Sequence, residues 1–539
     1  MDKPFAIALD VGSSRANKTG AWRTERPVYV DRTPPCADAC PAGENAQAWL
    51  YKAAEGGYEA AWREIMRDNP FPATVGRVCY HPCETACNRG QLDETVGINA
   101  VERFVGDEAI RRGWTVPVTA VPSGRHVLVV GAGPSGLAAA YHLRLLGHAV
   151  TVRDAGGKPG GMMRYGIPAY RLPRDVLDAE VRRIAEMGVT IELGVSVTDA
   201  RAALAEFDAV FLAIGAQLSH RTYLPAGDAA RVLDALSVLH DTADGEPPSL
   251  GRRVVVYGGG NTAMDAARTA RRLGAADAVV VYRRTRDRMP AQPVEVEEAE
   301  HEGVRMRWLS TIAQVSAGTV TVERMRLDGS GFPQPTGERE ELSADTVVLA
   351  IGQDVDRTLV TTLAGLDLVD GLVPVGPDLM TGQPGVFAGG DMVSSERTVT
   401  AAIGHGTRAA RHIDAWLRGE RHVTPPRPAP ATFDRLNTWY YADAPASVRP
   451  LLEPARRTTT FDEVVGGLAE ATALFEARRC MSCGTCFECD NCFGLCPDNA
   501  VIKLGPGNGF AIDYDFCKGC GICATECPAG AIDLVPEET

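Results

Sequence analysis

Two hydrophobic patterns alternate through the middle of the chain. Short unbroken apolar runs, such as His126-Val-Leu-Val-Val130, Ala149-Val-Thr-Val152, Val254-Val-Val-Tyr257 and Val279-Val-Val-Tyr282, read as strands buried on both faces. The first and third lead through glycines into longer apolar stretches, Leu137 to Gly147 and Met264 to Leu273, with the length of helices. Strand, glycine turn and helix, met twice, predict an α/β fold with two Rossmann-like dinucleotide-binding domains. Phe211-Leu-Ala-Ile-Gly215 and Val348-Leu-Ala-Ile-Gly352 read as strands returning between the two, so that the second domain is inserted in the first. Further on, 462–479 carries Val465, Leu468, Thr472 and Phe475 at helical spacing. Near the end, 500–504 and 510–513 read as a hairpin.

The glycines have separate physical tasks. Gly131 permits the turn, Gly133 lets a pyrophosphate approach the backbone, and Gly136 allows the helix to pack closely on the strand. The unpaired N–H groups of the helix N-terminus then face the phosphates. Asp154, at the end of the next strand, is the expected partner of an adenosine ribose. Gly258, Gly260, Asn261, Thr262 and Ala263 form the second turn. Its following strand ends in Arg283 and Arg284, where an acidic residue would suit NAD and arginine suits the 2′-phosphate of NADP. NADP(H) is therefore expected, with NAD(H) and a solvated basic turn as alternatives.

The 539 residues exceed a single core, and the balance of 45% hydrophobic and 23% charged residues is that of a folded, soluble chain. A net charge of −14 without a basic patch argues against nucleic acid, and no run of eighteen apolar residues suggests a membrane span. The short run Phe5 to Leu9 lacks the flanks of a signal peptide, so a cytoplasmic location is expected. Structural disulfides are rare there, and fifteen cysteines need another explanation. Five stand near the start, ten in the last sixty residues, and none between Cys87 and Cys480.

Cys486-x2-Cys489-x2-Cys492-x3-Cys496-Pro497 and Cys517-x2-Cys520-x2-Cys523-x3-Cys527-Pro528 have bacterial ferredoxin spacing. In each, three thiolates face one [4Fe–4S] cluster and the fourth crosses to the other. Cys486, Cys489, Cys492 and Cys527 are thus expected on one cluster, and Cys517, Cys520, Cys523 and Cys496 on the second, in an α+β ferredoxin-like domain. Paired four-cysteine zinc sites are the alternative.

At the other end, Cys36-x3-Cys40-Pro41, Asp68-Asn-Pro70 and Gly76-Arg-Val-Cys79-x3-Cys83-x3-Cys87 resemble the helical two-cluster domain of glutamate synthase small subunits. Relatives of that domain occur in dihydropyrimidine dehydrogenase and in NADH-dependent ferredoxin:NADP oxidoreductases. The family's Glu-Ala-x-Arg-Cys-x-x-Cys segment is missing from the N-terminal region and occurs instead as Glu476-Ala-Arg-Arg-Cys480-Met-Ser-Cys483. The resemblance implies that the tail completes the head. Cys40, Cys79, Cys83 and Cys87 would hold one cluster, and Cys36, Cys480 and Cys483 a second, with Glu102 as candidate fourth ligand. Spare thiols at Cys480 and Cys483 are the plainer reading.

The same resemblance covers Gly160-Gly161-Met-Met-Arg164-Tyr-Gly-Ile-Pro168 and Arg171-Leu-Pro173, and implies a loop covering the flavin, with Gly161 and Arg164 as cofactor contacts. Gly385-Val-Phe-Ala-Gly389-Gly390-Asp391 resembles a second flavin fingerprint, and Thr400 would open the helix facing the ring. The implied cofactors are FAD, NADP or NAD, two [4Fe–4S] clusters in the tail and two more in the head. The implied activity is electron transfer between NAD(P)(H) and an iron–sulfur or thiamine-dependent oxidoreductase subunit, or a ferredoxin, in a hetero-oligomer. Electron pairs from the nicotinamide would be split at the flavin into the single electrons that clusters accept. The ferredoxin-like tail resembles that of nicotinamide-linked subunits of 2-oxoacid oxidoreductases, and a self-contained small-molecule reductase is the competing reading. The expected domains are a helical iron–sulfur head, 1–118; a flavin domain, 119–240 and 346–424; a nicotinamide domain, 241–345; a proline-rich linker with a helix, 425–475; and the ferredoxin-like domain, 476–539.

Overall fold

The structure, a computed structural model, describes residues 18–219, 231–363 and 367–537. The run Phe5 to Leu9 lies outside the described residues.

Val127 to Val130 have no polar side chain and are buried, which suits a central strand covered on both faces. His126–Val130 forms the middle of a parallel five-stranded sheet in the order Val386–Ala388, Ala209–Leu212, His126–Val130, Ala149–Asp154, Thr190–Leu193. The helices Pro134–Leu145 and Val399–Leu417 pack together on this sheet. Gly406 makes that approach possible: a Cβ there would stand 2.2 Å from the Ser135 carbonyl oxygen.

The second parallel five-stranded sheet runs Arg305–Arg307, Asp277–Val281, Arg253–Tyr257, Thr346–Leu349, Val232–Asp234. Two of its strands correct the expected boundaries, because Val232–Asp234 and Thr346–Leu349 fall outside 241–345 yet pair in this sheet. The run from Val348, read as a strand of the first domain, therefore begins as a strand of the second. An apolar run looks the same in either sheet, and only the pairing tells them apart. The two chain crossings lie side by side, with Leu218–Ser219 antiparallel to Gln353–Asp354. An antiparallel sheet of Ser310–Ser316, Thr319–Leu327 and Pro333–Ser343 covers one face of the second sheet, placing Ile312, Val315, Val320 and Val322 against Val255, Val279 and Val281.

The head is helical. Pro72–Val78 and Ile98–Arg112 cross at paired glycines, where a Cβ on Gly76 would lie 2.4 Å from the Arg103 Cα and one on Gly106 2.3 Å from the Ala73 nitrogen. Trp49 and Trp62 fill its core. The tail contains the hairpin Val501–Lys503 and Phe510–Ile512. Its last strand, Ile532–Pro536, pairs antiparallel with Glu25–Tyr29, so the two ends of the described chain are joined.

The proline-rich connector lies along the head, where Ala429 and Ala431 exchange backbone hydrogen bonds with Thr33. The helix expected over 462–479 is shorter, Glu470–Arg478. Gly466 and Gly467, poor helix formers, lie outside it, Gly466 beside Pro450 and Gly467 beside Arg103. Among the described residues, no helix is long and apolar enough to cross a membrane.

Candidate active site and cysteine cavities

A cavity of about 850 Å³ lies between the two parallel sheets, and both glycine turns open into it. At the first turn Gly131 adopts φ +108°, and a Cβ there would meet the Ala213 oxygen at 2.4 Å. Gly133 lines the cavity with nothing nearer to its Cβ position than 3.9 Å, leaving room for a phosphate against the backbone. Gly136 does not line it. Its place is in the packing, with a Cβ position 1.9 Å from the Gly131 oxygen. The second turn repeats the design, Gly258 closing on the Ala350 oxygen at 2.0 Å and Gly260 facing open space. Neither following helix has a side-chain cap, so first-turn N–H groups are free for an anion.

Asp154 lines the cavity while its carboxylate accepts from the Ala132 nitrogen at 2.6 Å and the Gly156 nitrogen at 2.7 Å, bracing the turn. Gly161, Asn261 and Thr262 also line it. Ala263 is wholly buried in the core instead. Arg164, expected as a cofactor contact, turns away: it is buried, donates to the Pro159 oxygen and pairs with Asp178, so it shapes the covering loop from behind. Arg283 and Arg284 line the cavity, neither has an ion pair among the described residues, and the buried Arg284 Nε has no hydrogen-bond partner there.

Gly390 and Asp391 complete the wall, and burial pushes the Asp391 carboxyl up. His405 is buried and accepts the Gly390 N–H on Nδ1 at 3.0 Å. Burial lowers its pKa to about 4, which keeps the ring neutral and able to accept.

Sequence reasoning missed three wall residues. Tyr80 reaches in from the head, its phenol pushed up to about 12 by burial. Arg171, from the covering loop, holds Asp265 at 2.9 Å and pairs with Glu295 on the second domain. These buried charges tie the covering loop to the second domain, and Tyr80 beside Arg171 adds the head. The motif around Arg171 was visible in the sequence, but its partners lie about a hundred residues away.

The cysteines surround four smaller cavities. Cys486, Cys489, Cys492 and Cys527 line one, and Cys496, Cys517, Cys520 and Cys523 another. In the head the grouping differs from the expected one. Cys36, Cys87, Cys480 and Cys483 line a single cavity, and Cys40, Cys79 and Cys83 line another with Glu102. Cys87 and Glu102 have exchanged places. The reason is local: Cys83 sits in the short helix Pro82–Thr85, while Cys87 lies beyond its end and turns toward the arm carrying Cys480. Glu102 is buried and accepts from Asn69 Nδ2 at 2.9 Å, as does Glu44.

Burial and neighbouring sulfurs push the Cys480 thiol up to about 12 and the Cys483 thiol to about 11. A ring of buried sulfurs is best relieved by a cation that takes the place of their protons. Among the described residues no group of three or more His, Cys, Asp or Glu side chains is placed to hold one metal ion. Zinc would need four sulfurs converging at about 2.3 Å on a single point, whereas the x2-x2-x3-Cys-Pro spacing of both tail motifs is that of cluster ligands.

The cavities form a row. Val78 and Tyr80 face the dinucleotide cavity, and Cys79 between them faces the Glu102 cavity. Thr400, expected at the flavin, lines that cysteine cavity, whereas Thr398, Val399 and Ala402 line the dinucleotide cavity. Ile98 is shared by the two head cavities. Tyr441 lies near Cys480 and Cys483 of the head and Cys489 and Cys527 of the tail, and donates to the Met481 oxygen at 2.8 Å.

Two joined dinucleotide folds beside rings of cysteines define an iron–sulfur flavoprotein oxidoreductase. Residues 125–406 match the family model described as pyridine nucleotide-disulphide oxidoreductase, and the chain belongs to that family. Residues 17–114 match dihydropyrimidine dehydrogenase domain II, 4Fe-4S cluster, and residues 510–533 match a 4Fe-4S binding domain. The chain is 36% identical over 514 residues to the NADP(+)-dependent formate dehydrogenase subunit beta of Moorella thermoacetica, covering 84% of this chain and 70% of that one. It is 35% identical over 517 residues to the NADPH-Fe(3+) oxidoreductase subunit beta of Geobacter sulfurreducens, covering 84% and 76%. Over 427 residues it is 34% identical to the glutamate synthase [NADPH] small chain of Azospirillum brasilense, covering 72% and 87%. Its cofactors are FAD, a nicotinamide dinucleotide and [4Fe–4S] clusters, and it transfers electrons among them.

Proposed function

We propose that the chain is the NADP(H)-linked electron-transfer subunit of a hetero-oligomeric oxidoreductase, with a row of four clusters leading from the flavin to a partner. The succession of cavities carries this reading: Cys79 and Thr400 stand beside the dinucleotide site, Ile98 is common to the two head cavities, and Tyr441 lies near both the Cys480–Cys483 arm and Cys489 and Cys527 of the tail. When bound, nicotinamide and flavin exchange electrons in pairs and the clusters carry them singly.

The residues divide the work. Gly131 and Gly133 hold the FAD diphosphate against the helix N-terminus, and Gly258, Gly260, Asn261 and Thr262 do the same for the second dinucleotide. Asp391, with the neutral His405 behind its turn, orients the flavin side. Arg283 and Arg284 receive the 2′-phosphate. Arg171, Asp265 and Glu295 hold the two sheets at a set separation around the cavity. Cys40, Cys79, Cys83 and Glu102 ligate the flavin-side cluster; Cys36, Cys87, Cys480 and Cys483 ligate the next; the two tail sets follow.

That several relatives are named as subunits supports a partner. By its chemistry this is an iron–sulfur or thiamine-dependent oxidoreductase subunit, a glutamate synthase large subunit or a ferredoxin. A cytoplasmic location fits fifteen cysteines given to clusters rather than to disulfides.

Iron counting on anaerobically purified protein tests the row, with about sixteen irons expected at four per cluster and about eight contradicting the head sites. For the nucleotide, Arg283→Ala with Arg284→Ala should raise KM for NADPH at least tenfold, as loss of charge-assisted hydrogen bonds worth about 1.5–3 kcal/mol implies, and leave KM for NADH in place. Equal effects on both nucleotides would remove NADP(H) from the proposal. Native co-purification identifies the partner.

A further inference from the structure

The dinucleotide cavity and the cavity of Cys40, Cys79 and Cys83 share one thin wall. Along one strip of it Val78 and Tyr80 face the dinucleotide while Cys79 faces the cysteine cavity. Along the facing strip Thr398, Val399 and Ala402 face the dinucleotide while Thr400 faces the cysteine cavity. Thr400 and Cys79 line this cavity from facing strips, so the Thr400 hydroxyl stands on the side of the Cys79 sulfur. The backbone N–H of His81 donates to the same sulfur at 3.4 Å. With Thr400 only 3% exposed, water does not compete for this contact. A hydrogen bond to a ligating sulfur draws negative charge from it and favours the reduced, more negative cluster.

We propose that Thr400 is a positioning residue that raises the reduction potential of the cluster held by Cys40, Cys79, Cys83 and Glu102, keeping it able to take electrons from the flavin. The proposal rests on the four-cluster reading above.

EPR-monitored redox titration of the anaerobic holoprotein is the test, following the cluster whose signal changes in Glu102→Cys. Thr400→Val, which keeps the shape and removes the hydroxyl, should lower the equilibrium constant for reducing this cluster about tenfold, a midpoint ~59 mV more negative for one electron. The tail clusters should keep their midpoints, the FAD content should be unchanged, and Thr400→Ser should restore the wild-type value. An unmoved midpoint, an equal displacement of all clusters, or a serine variant behaving like valine would overturn the proposal. Loss of FAD from Thr400→Val would overturn it too, returning Thr400 to the flavin. About eight irons in the wild type would instead bring down the four-cluster reading itself, separately from Thr400.

Discussion

Head and tail each contain two cysteine cavities, built over different ranges of chain. In the tail every cysteine comes from 486–527, and each cavity borrows one sulfur from the other motif. In the head, Cys36 and Cys87 meet Cys480 and Cys483 from nearly four hundred residues further on. A tail cavity takes all its sulfurs from its own loops, with Tyr29 or Pro27 of the N-terminal strand added to its wall, whereas this head cavity has its four sulfurs only while the arm at 476–483 stays docked. The docking is polar and buried. Glu476 accepts from the Gly97 nitrogen at 2.7 Å, the Ser447 nitrogen at 2.8 Å and Arg479 Nη1 at 2.6 Å. Arg479 in turn donates to the Thr95 and Glu94 oxygens, and Arg89 donates to the Arg479 oxygen. The comparison teaches that equal numbers of sulfurs can depend on very unequal amounts of fold.

Breaking the docking should have the largest effect. Glu476→Ala removes the nearer of the two carboxylates beside the buried Arg479, leaving Asp93 at 3.4 Å, and strips the Gly97 and Ser447 N–H groups of their acceptor, which together costs about 3–5 kcal/mol. Urea unfolding should report that loss, and iron should fall from about sixteen to about twelve, four irons per cluster, with the tail signals intact. Next, pairing can be read by combining substitutions, because residues of one site are not additive. Cys87→Ser with Cys480→Ser should lose no more iron than either alone. Cys87→Ser with Cys40→Ser should lose two clusters, and the reverse result would restore the grouping expected from the sequence.

A smaller difference between the two ends concerns acid. At the docking junction the Arg89 guanidinium, with the Ala444 nitrogen, holds the Asp93 carboxyl well below the usual range. A depressed folded pKa means stability that is full above the unfolded value, about 3.9, and is lost as pH falls below it. The head should therefore release its shared cluster below about pH 4 before Asp93→Asn does relative to its own neutral-pH value, as followed by visible absorption. The smallest effect is expected in the tail, where the Tyr29 hydroxyl donates to the Cys492 sulfur at 3.2 Å. Tyr29→Phe removes one hydrogen bond worth about 0.5–1.5 kcal/mol, so one tail midpoint should move negative while both head midpoints stay. Movement of the head midpoints as well would mean that the two ends are less separate than their geometry implies.

Much of this was legible beforehand, for a physical reason that varies by element. The glycine turns could be read because each task is local: a positive φ at Gly131, open space at Gly133, close packing at Gly136. Arg164 and Thr400 were misplaced because a motif places a residue on an element without saying which way its side chain points. Within a single turn of helix, Val399 faces the dinucleotide cavity and Thr400, the next residue, faces sulfur. Val232–Asp234 and Thr346–Leu349 were assigned to the wrong domain because apolar strands carry no label for their neighbours. The helix at 470–478 was drawn too long because its apolar spacing continues through Gly466 and Gly467, where the backbone does not follow.

The sequence by itself determined the chemistry on offer: two dinucleotide turns, arginines at the end of one strand, and thiolates at cluster spacing. These are short-range properties, set by residue type and by neighbours a few positions apart. Only the tertiary structure decided which sulfurs share a cavity, that Glu102 stands with Cys40 rather than with Cys36, and that Cys79 and Thr400 form the wall between the dinucleotide and the first cysteine ring. Those are meetings of segments far apart in the chain, brought about by buried packing and by a few buried ion pairs, and no local spacing encodes them.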